Sequence, residues 1–330
     1  MYDSPEVQFA VDAVREASLL ARRIQREMVT AALTKVDRSP VTVADFAVQA
    51  LIARRLAERL PGSELIGEEQ ADALRLEEGV AALDHVTEFV RLAIDDATPE
   101  EVCGLIDRGS GEPSRRFWTL DPIDGTKGFL RRDQYAIALA LVTDGRVELG
   151  VLGCPDLTNA DSPGVGGPGS IIVASRGAGA WTQPLEEGGN ICWQKLAVSS
   201  RTLPAEARLL RSVEKSHTNT DEIGQLVSRL GVSAPPVAMD SQAKYSVLAA
   251  GSGDVLLRLL SPSRPDYREK IWDHGAGSVV VTEAGGRVSD LDGRSLDFSQ
   301  GRTLAKNRGI LATNGHLHDA ILSALQAIGA

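Results

Sequence analysis

The segment from Arg116 to Thr126, RFWTLDPIDGT, places the strongest constraint on how this chain folds. Its apolar start is typical of a buried strand, and that strand runs directly into two carboxylates, Asp121 and Asp124. Taken alone, these acids are as consistent with a structural turn, because Pro, Asp and Gly are turn residues. A buried carboxylate without a partner is costly, however. Mg²⁺ prefers carboxylate and carbonyl oxygens, so the acids and the Ile123 carbonyl between them are candidate ligands.

The N-terminal third of the chain predicts mainly helices. Apolar residues recur at helical spacing over residues 7–28. A second helix is predicted in SPVTVADFAVQALIARRLAERLPG, where Thr42 is the expected N-cap and Asp45 the acid of a capping box. The short run SELIGEE then predicts a strand that leads into Glu68 and Glu69.

The pattern changes at residue 116 and again near Pro204. Short β-rich runs separated by Gly, Pro and Asp predict an antiparallel sheet in the middle of the chain. Beyond Pro204, helix-like and strand-like runs alternate. A chain of 330 residues is longer than one hydrophobic core usually holds. We therefore expect two domains, 1–204 and 205–330.

The composition excludes several classes of partner. The chain is 43% hydrophobic and 24% charged, and its net charge of -10 argues against nucleic acid or an anionic membrane as a non-specific partner. It has no apolar run long enough to span a bilayer, and its start, MYDSPEVQFA, lacks the features of a signal peptide. Its three widely spaced cysteines form no zinc-binding or CxxC pattern. We therefore expect a cytoplasmic monomer without nucleic-acid or membrane partners.

Further acids are ambiguous when they are taken singly. Glu68 and Glu69 alone are typical of a solvated strand end. Asp273, in KIWDHGAG, alone favours a helix N-cap, and Asp45 alone favours the capping box. A functional role for these acids depends on the order in which their motifs occur.

In that order, Gly-Glu-Glu, Asp-Pro-Ile-Asp-Gly-Thr and Trp-Asp-x-x-x-Gly resemble the signature of the inositol monophosphatase-like superfamily of lithium-sensitive, Mg²⁺-dependent phosphatases. Within it, the closer resemblance is to the 3'(2'),5'-bisphosphate nucleotidases. It rests on SPVTVADF, DPIDGTKGFLR, CPDL, SVEKSH, DSQAKY, REKIWDH and VTEAGG, and it covers nearly the whole chain. The resemblance therefore carries implications for fold, site and activity.

The fold that the resemblance implies is a layered α/β fold of alternating helices and sheets. The N-terminal α+β domain would contain an antiparallel sheet, and the smaller C-terminal α/β domain a mixed sheet. The metal site would lie between the two domains, which agrees with the change of pattern near Pro204.

The resemblance also implies a catalytic role for each acid at a matching position. Two to three Mg²⁺ ions would be bound by Glu68, Asp121, the carbonyl of Ile123, Asp124 and Asp273. Asp121 would bridge two ions. Asp45 and Thr126 would form a dyad that, together with Glu68, orients the attacking water.

The substrate contacts implied by the resemblance come from both halves of the chain. They are Gly125, Thr126, His217, Ser241, Lys244 and Arg258. Backbone amides of the first two would hold oxygens of the reacting phosphate, and the last two are suited to a second phosphate. Arg132 departs from the pattern, because the family commonly has glycine there, and it adds bulk and charge near the expected site entrance.

The activity implied by the resemblance is hydrolysis of adenosine 3',5'-bisphosphate to AMP and phosphate. Its sulfated form, 3'-phosphoadenosine 5'-phosphosulfate, would give adenosine 5'-phosphosulfate. Two alternatives stay open, an inositol polyphosphate 1-phosphatase and a non-catalytic protein that senses the nucleotide. The complete set of predicted ligands and dyad residues argues against the second alternative.

Overall fold

The fold is built on a larger and a smaller sheet with helices packed against them, and a further sheet consists of two short strands. The computed structural model describes residues 4–29, 40–164, 167–186, 192–213 and 219–329. The described strands are β1 Leu65–Gly67, β2 Arg116–Asp124, β3 Ala136–Thr143, β4 Arg146–Cys154, β5 Leu157–Thr158, β6 Ser162–Pro163, β7 Ser170–Ser175, β8 Gly179–Pro184, β9 Gln194–Lys195, β10 Leu209–Arg211, β11 Val237–Ala238, β12 Val255–Arg258, β13 Arg287–Ser289 and β14 Ile310–Thr313.

Helices alternate with these strands along the chain. The described α-helices are α1 Pro5–Ile24, α2 Pro40–Arg59, α3 Val80–Val90, α4 Pro99–Asp107, α5 Thr126–Arg131, α6 Thr220–Leu230, α7 Ala243–Ala249, α8 Gly275–Glu283 and α9 His318–Ile328. A π-helical turn, Gln25–Val29, follows α1, and 3₁₀ turns cover Ala71–Arg75, Glu77–Gly79 and Pro204–Glu206. Among the described residues, no helix combines the length and apolarity that crossing a membrane requires.

The larger sheet has seven strands in the order β1-β2-β3-β4-β7-β8-β9. The strands from β2 to β9 pair antiparallel, as the β-rich middle of the sequence predicts. Strand β1 differs, because it pairs parallel with β2 at the sheet edge. This parallel edge matters for the site, since it brings two chain segments to the same end of the sheet.

The smaller sheet has five strands in the order β11-β10-β12-β14-β13, and it is mixed. Strand β10 pairs parallel with both its neighbours, whereas β14 pairs antiparallel with β12 and β13. All strands of the larger sheet precede Pro204 in the sequence, and all strands of the smaller sheet follow it. Helix α8 belongs to the second half of the sequence but packs against β3, β4 and β7 of the larger sheet. The division at residue 204 therefore stays a prediction.

The larger sheet separates two hydrophobic cores. Helices α1 and α2 cover one face, where Phe9 meets Trp118 edge-to-face with ring centroids 5.1 Å apart. Helix α8 covers the other face and is buried nearly all round. A Cβ on Gly150 of β4 would lie 2.5 Å from Val279 Cγ1. The missing side chain thus lets α8 approach the sheet closely, with its first residue beside Thr119 of β2.

Two helix starts correct the sequence-based interpretation. Helix α2 begins at Pro40, so Thr42 lies inside the helix. An N-cap residue lies outside the helix, so the observed start differs from the predicted one. The side chain of Thr42 lies outside what the structure describes, and its capping contact with Asp45 stays a prediction. Helix α8 begins at Gly275 with His274 at its N-cap position, so the structure also removes the N-cap interpretation of Asp273.

Candidate active site

A bulge in β2 brings Asp121 and Asp124 to one face of the larger sheet. In a regular strand, residues three apart point to opposite faces. Here the pairing with β3 shifts, so that Asp121 lies opposite Ala138 while Asp124 lies opposite Ala136. Three residue steps in β2 therefore match two in β3, and the two acids regain a common face. Pro122 lies in this interval, where the ladder needs no N–H.

The parallel edge strand brings a third acid to the same place. Gly67 of β1 pairs with Leu120 of β2. The next residue along each strand is an acid, Glu68 in one case and Asp121 in the other. Because parallel neighbours in register share a face, this pairing brings the two carboxylates together at the strand ends.

A cavity of about 420 Å³ collects nearly all the residues that the resemblance implies. Its lining includes Glu68, Asp121, Ile123, Asp124, Gly125, Thr126, Ser241, Lys244, Arg258 and Asp273. Asp45 is not among the lining residues that the structure describes. His217 lies outside the described residues, so its predicted nucleotide contact stays a prediction.

The acids in this cavity are buried together and repel one another. Burial, and then the charges of Glu68, Asp124 and Asp273, raise the pKa of Asp121 well above its usual value. Burial and the charge of Asp124 likewise raise the pKa of Glu68. The same two causes raise the pKa of Asp273, again with burial first. Nearby cations such as Lys270 and Arg258 lower the pKa of Glu68 and Asp273, but they offset burial and repulsion only in part.

Asp121 shows most clearly what this cluster lacks. Its side chain is 3% exposed, and its Oδ1 atom has no hydrogen-bond partner among the described residues. A buried polar atom normally has a partner, so an orphaned carboxylate oxygen points to a cation. Carboxylates together with the Ile123 carbonyl form the oxygen donor set that Mg²⁺ prefers. The residues present therefore fit the divalent metal that the sequence resemblance implies.

Gln242 holds two of the acidic segments in place. Its backbone N–H donates to Asp124 Oδ2 at 2.7 Å. Its side-chain amide donates to the carbonyl of Trp272, the residue before Asp273, at 2.9 Å, and accepts from the N–H of Gly277 at 3.0 Å. Sequence reasoning selected Ser241 and Lys244 from the motif DSQAKY but missed the glutamine between them.

The turn after β2 requires glycine at position 125. Gly125 has a φ of 91°, and a Cβ there would lie 2.8 Å from Ser241 Cβ. This close approach brings the motif DPIDGT against DSQAKY. Thr126 then begins α5, with its Oγ1 atom 3.5 Å from the carbonyl oxygen of Ile123.

Asp45 lies on helix α2, near the acidic cluster. It is 5% exposed, and burial, followed by the charges of Glu69 and Glu68, raises its pKa well above the usual value. No hydrogen bond joins its carboxyl to the Thr126 hydroxyl among the described residues. The structure thus places Asp45 close to the acidic cluster, whereas the predicted dyad with Thr126 stays a prediction.

The cationic side of the cavity is formed by Lys244 and Arg258. Lys244 Nζ donates to the carbonyls of Ser241 at 2.8 Å and Met239 at 3.2 Å. Burial lowers its pKa to about 8, and the charge of Arg258 acts in the same direction. Arg258 Nε donates to Glu269 Oε1 at 3.1 Å. Both cations are therefore fixed by the protein itself and face the cavity from the second half of the chain.

A buried hydrogen-bond network of Glu269, His274 and Tyr245 supports Arg258. Glu269 accepts from Arg258, and its other oxygen lies 3.1 Å from His274 Nε2. His274 Nδ1 in turn lies 2.7 Å from the Tyr245 hydroxyl. Glu269, Asp273 and His274 bring potential ligand atoms within 4.8 Å of one another. Because Glu269 is already paired, with His274 and Arg258 lowering its pKa against the effect of burial, we interpret it as the support for Arg258.

Arg132 occupies a position that explains the usual glycine there. It follows α5 with φ 57° and ψ 41°, a left-handed conformation that favours glycine at helix C-termini. Its backbone N–H caps the helix, and it is not among the described residues that line the cavity. The bulk and charge expected from Arg132 near the site entrance stay a prediction.

Comparisons with known proteins agree with the motifs. The profile of the inositol monophosphatase family matches residues 3–330. A 3'(2'),5'-bisphosphate nucleotidase from Oryza sativa is 44% identical, with 97% of this chain and 93% of the relative covered. Another from Emericella nidulans is 39% identical, with 96% of each chain covered. The resemblance that the sequence motifs predicted is therefore confirmed.

Solved structures agree with the fold. The IMPase of Thermotoga maritima superposes with a TM-score of 0.64 at 20% identity, over 98% of each chain. CysQ of Bacteroides thetaiotaomicron, a bacterial member of the inositol monophosphatase family, gives 0.64 at 19% identity, over 94% of this chain and 98% of that one. At this identity the match establishes the fold alone, and it confirms the predicted layered α/β architecture. The chain belongs to the inositol monophosphatase family.

Proposed function

We propose that this protein is a Mg²⁺-dependent 3'(2'),5'-bisphosphate nucleotidase. It removes the 3'-phosphate of adenosine 3',5'-bisphosphate to give AMP, and that of 3'-phosphoadenosine 5'-phosphosulfate to give adenosine 5'-phosphosulfate. The orphaned, buried Oδ1 of Asp121, in a cavity that also contains two fixed cations, is the observation that supports this proposal most strongly. Relatives that bear this enzyme name are 37–44% identical over nearly the whole chain.

The acidic side of the cavity would bind the metal. Two to three Mg²⁺ would be held by Glu68, Asp121, the Ile123 carbonyl, Asp124 and Asp273. Bound Mg²⁺ would neutralise phosphate charge, lower the pKa of the attacking water and stabilise the leaving oxygen. The repulsion among these acids supports the proposal, because a cation would relieve it.

The protein groups around the phosphate would orient the reaction. The dyad of Asp45 and Thr126, together with Glu68, would orient the water whose oxygen forms the new bond to phosphorus, while the bond to the 3'-oxygen breaks on the opposite side. The backbone amides of Gly125 and Thr126 would hold the phosphate oxygens. Helix α5 has only six residues, so we assign this contact to the amides of the turn itself.

The cationic side of the cavity would select the substrate. Lys244 and Arg258 would bind the phosphate that is not cleaved, and Ser241 would contact the ribose or that phosphate. His217 would contact the nucleotide from a segment outside the described residues. A substrate with two phosphates would thus match both sides of one cavity.

A phosphate-release panel tests the proposed activity. We expect release from adenosine 3',5'-bisphosphate and its sulfated form with Mg²⁺, little release from inositol 1-phosphate or fructose 1,6-bisphosphate, and inhibition by Li⁺. A small monovalent ion can occupy a site built for Mg²⁺ but cannot supply its charge. Full activity in excess chelator would refute the metal role. Preferential release from inositol 1,4-bisphosphate would favour the 1-phosphatase, and binding without release would favour the sensor.

Lys244→Ala and Arg258→Ala test the proposed phosphate selection. Each variant loses a charge-assisted contact worth about 1.5–3 kcal/mol, so kcat/KM for the bisphosphate should fall roughly 10–150-fold. For adenosine 3'-monophosphate the loss should be small. Lys306→Ala is the control, because Lys306 pairs with Asp297 on the exposed surface. Equal losses on both substrates would show that Lys244 and Arg258 serve the structure instead.

Asp45→Asn and Thr126→Ala test the proposed dyad. Loss of an oriented acid–base group typically lowers the rate by about 10²–10⁴-fold, and we expect kcat to fall in that range with substrate and Mg²⁺ binding largely kept. The double variant should be little worse than either single variant, since groups that act as a unit are non-additive. The melting temperature of the metal-free protein should not fall in Asp45→Asn, because the substitution relieves repulsion from Glu69 and Glu68. Additive losses, or a near-normal rate, would contradict the dyad.

A further inference from the structure

We propose that Arg302 is a positioning residue that fixes Glu68 and Asp273 relative to each other. Arg302 lies in the C-terminal segment between β13 and β14, and it is not among the described residues that line the cavity. Its role would be to hold the backbone that carries two of the metal-binding acids. The inference rests on the proposed metal site, and it adds a residue that touches neither metal nor substrate.

The guanidinium of Arg302 binds three backbone carbonyls of the N-terminal half. Nη2 donates to the carbonyl oxygen of Gly67, the residue before Glu68. Nη1 donates to the carbonyls of Gly109 at 3.0 Å and Gly111 at 2.9 Å. The Gly67 N–H itself donates to the Gly109 carbonyl at 2.9 Å. One side chain therefore fastens the end of β1 to the segment that follows α4.

The same guanidinium packs on the segment that carries Asp273. Its carbon Cζ lies 4.9 Å from the centre of the Trp272 ring, which is a cation–π contact. Trp272 is 5% exposed, and its carbonyl accepts from Gln242. Arg302 thus contacts the residue immediately before Glu68 and the residue immediately before Asp273.

Gln49 holds the other side of Glu68. From helix α2, its Nε2 donates to the carbonyl of Glu69 at 2.7 Å, and its Oε1 accepts from the Glu69 N–H at 3.1 Å. A Cβ on Gly67 would lie only 2.3 Å from Gln49 Oε1, so glycine is needed for this fit. The backbone is therefore held on both sides of Glu68. Arg302 binds the carbonyl of the residue before it, and Gln49 binds the N–H and carbonyl of the residue after it.

The chemistry of the guanidinium group suits Arg302 to this role. Its donors reach the carbonyls of Gly67, Gly109 and Gly111, while the group packs on the Trp272 ring. A planar guanidinium with several donors can hold three carbonyls at once, which the single ammonium of lysine does less well. Arg302 therefore holds the backbone before Glu68 and the side chain before Asp273 in fixed relative positions.

Arg302→Met tests this inference through metal binding without substrate. Free Mn²⁺, followed by electron paramagnetic resonance, reports the dissociation constant of the metal-free protein for Mn²⁺. Loss of a group that supports a ligand typically costs about 10–100-fold in metal affinity, and we expect a loss in that range. Arg308→Met is the matched control. Arg308 lies six residues on and pairs with Asp292, so Mn²⁺ affinity should stay as in wild type.

The activity of the same variants separates positioning from substrate binding. The Mg²⁺ concentration for half-maximal phosphate release should rise in Arg302→Met, while KM for adenosine 3',5'-bisphosphate at saturating Mg²⁺ stays near wild type. Mn²⁺ binding needs no substrate. A wild type that binds Mn²⁺ but releases no phosphate would therefore refute the proposed function alone, and the comparison of variants would still decide the role of Arg302.

Arg302→Lys keeps the positive charge, and it provides a second test of the inference if Arg302→Met does not fold. Its Mn²⁺ affinity should lie between those of wild type and Arg302→Met, and hydrogen exchange of the Gly67 and Glu69 amides should quicken in both variants. Unchanged Mn²⁺ affinity in Arg302→Met would overturn the inference, even with faster exchange, because the contacts of Arg302 would then be merely structural. Full affinity in Arg302→Lys would also overturn it, since charge alone would suffice.

Discussion

Repulsion among buried carboxylates is the constraint on which the rest of this structure depends. Glu68, Asp121, Asp124 and Asp273 come from three separate segments and meet in one cavity, where burial raises the pKa of each. The charges of the neighbouring acids raise the pKa of Glu68, Asp121 and Asp273 further. A protein has little reason to assemble such a cluster for stability, because buried like charges oppose folding. The arrangement is physically reasonable as a site for divalent cations, because a bound cation neutralises the carboxylates and relieves their repulsion.

Backbone geometry and buried polar side chains hold this cluster together. The β2 bulge sets Asp121 and Asp124 on one face, and the parallel edge strand brings Glu68 beside them. Gln242 ties Asp124 to the segment of Asp273, and we infer that Arg302 does the same for Glu68. The larger sheet and helix α8 thus serve as a frame whose strand ends and helix start converge on the metal-binding acids.

The sequence predicted the elements and the site better than it predicted their connections. Short-range patterns were enough for the N-terminal helix and the antiparallel strands, because periodicity lies within local segments. The acids of DPIDGT needed the order of motifs along the whole chain, and the role given to them stays a prediction. The predicted start of the second helix was wrong, because the helix begins at Pro40, three residues before the start that Thr42 as N-cap implies. Gln242, Glu269 and Arg302 were missed because their roles arise only from contacts across more than ten positions in the chain. Such contacts leave no periodic signal.

The most direct test of the metal-site account is the melting temperature of wild type and Asp121→Asn, each in chelator and in Mg²⁺. The Asp121 carboxylate is buried among other acids that repel it. If it serves to bind a cation, Asp121→Asn should have a higher melting temperature than wild type in chelator, because one source of repulsion is gone. Mg²⁺ should then stabilise wild type by linkage and stabilise Asp121→Asn much less. A variant that melts lower in chelator and keeps the full stabilisation by Mg²⁺ would contradict the account.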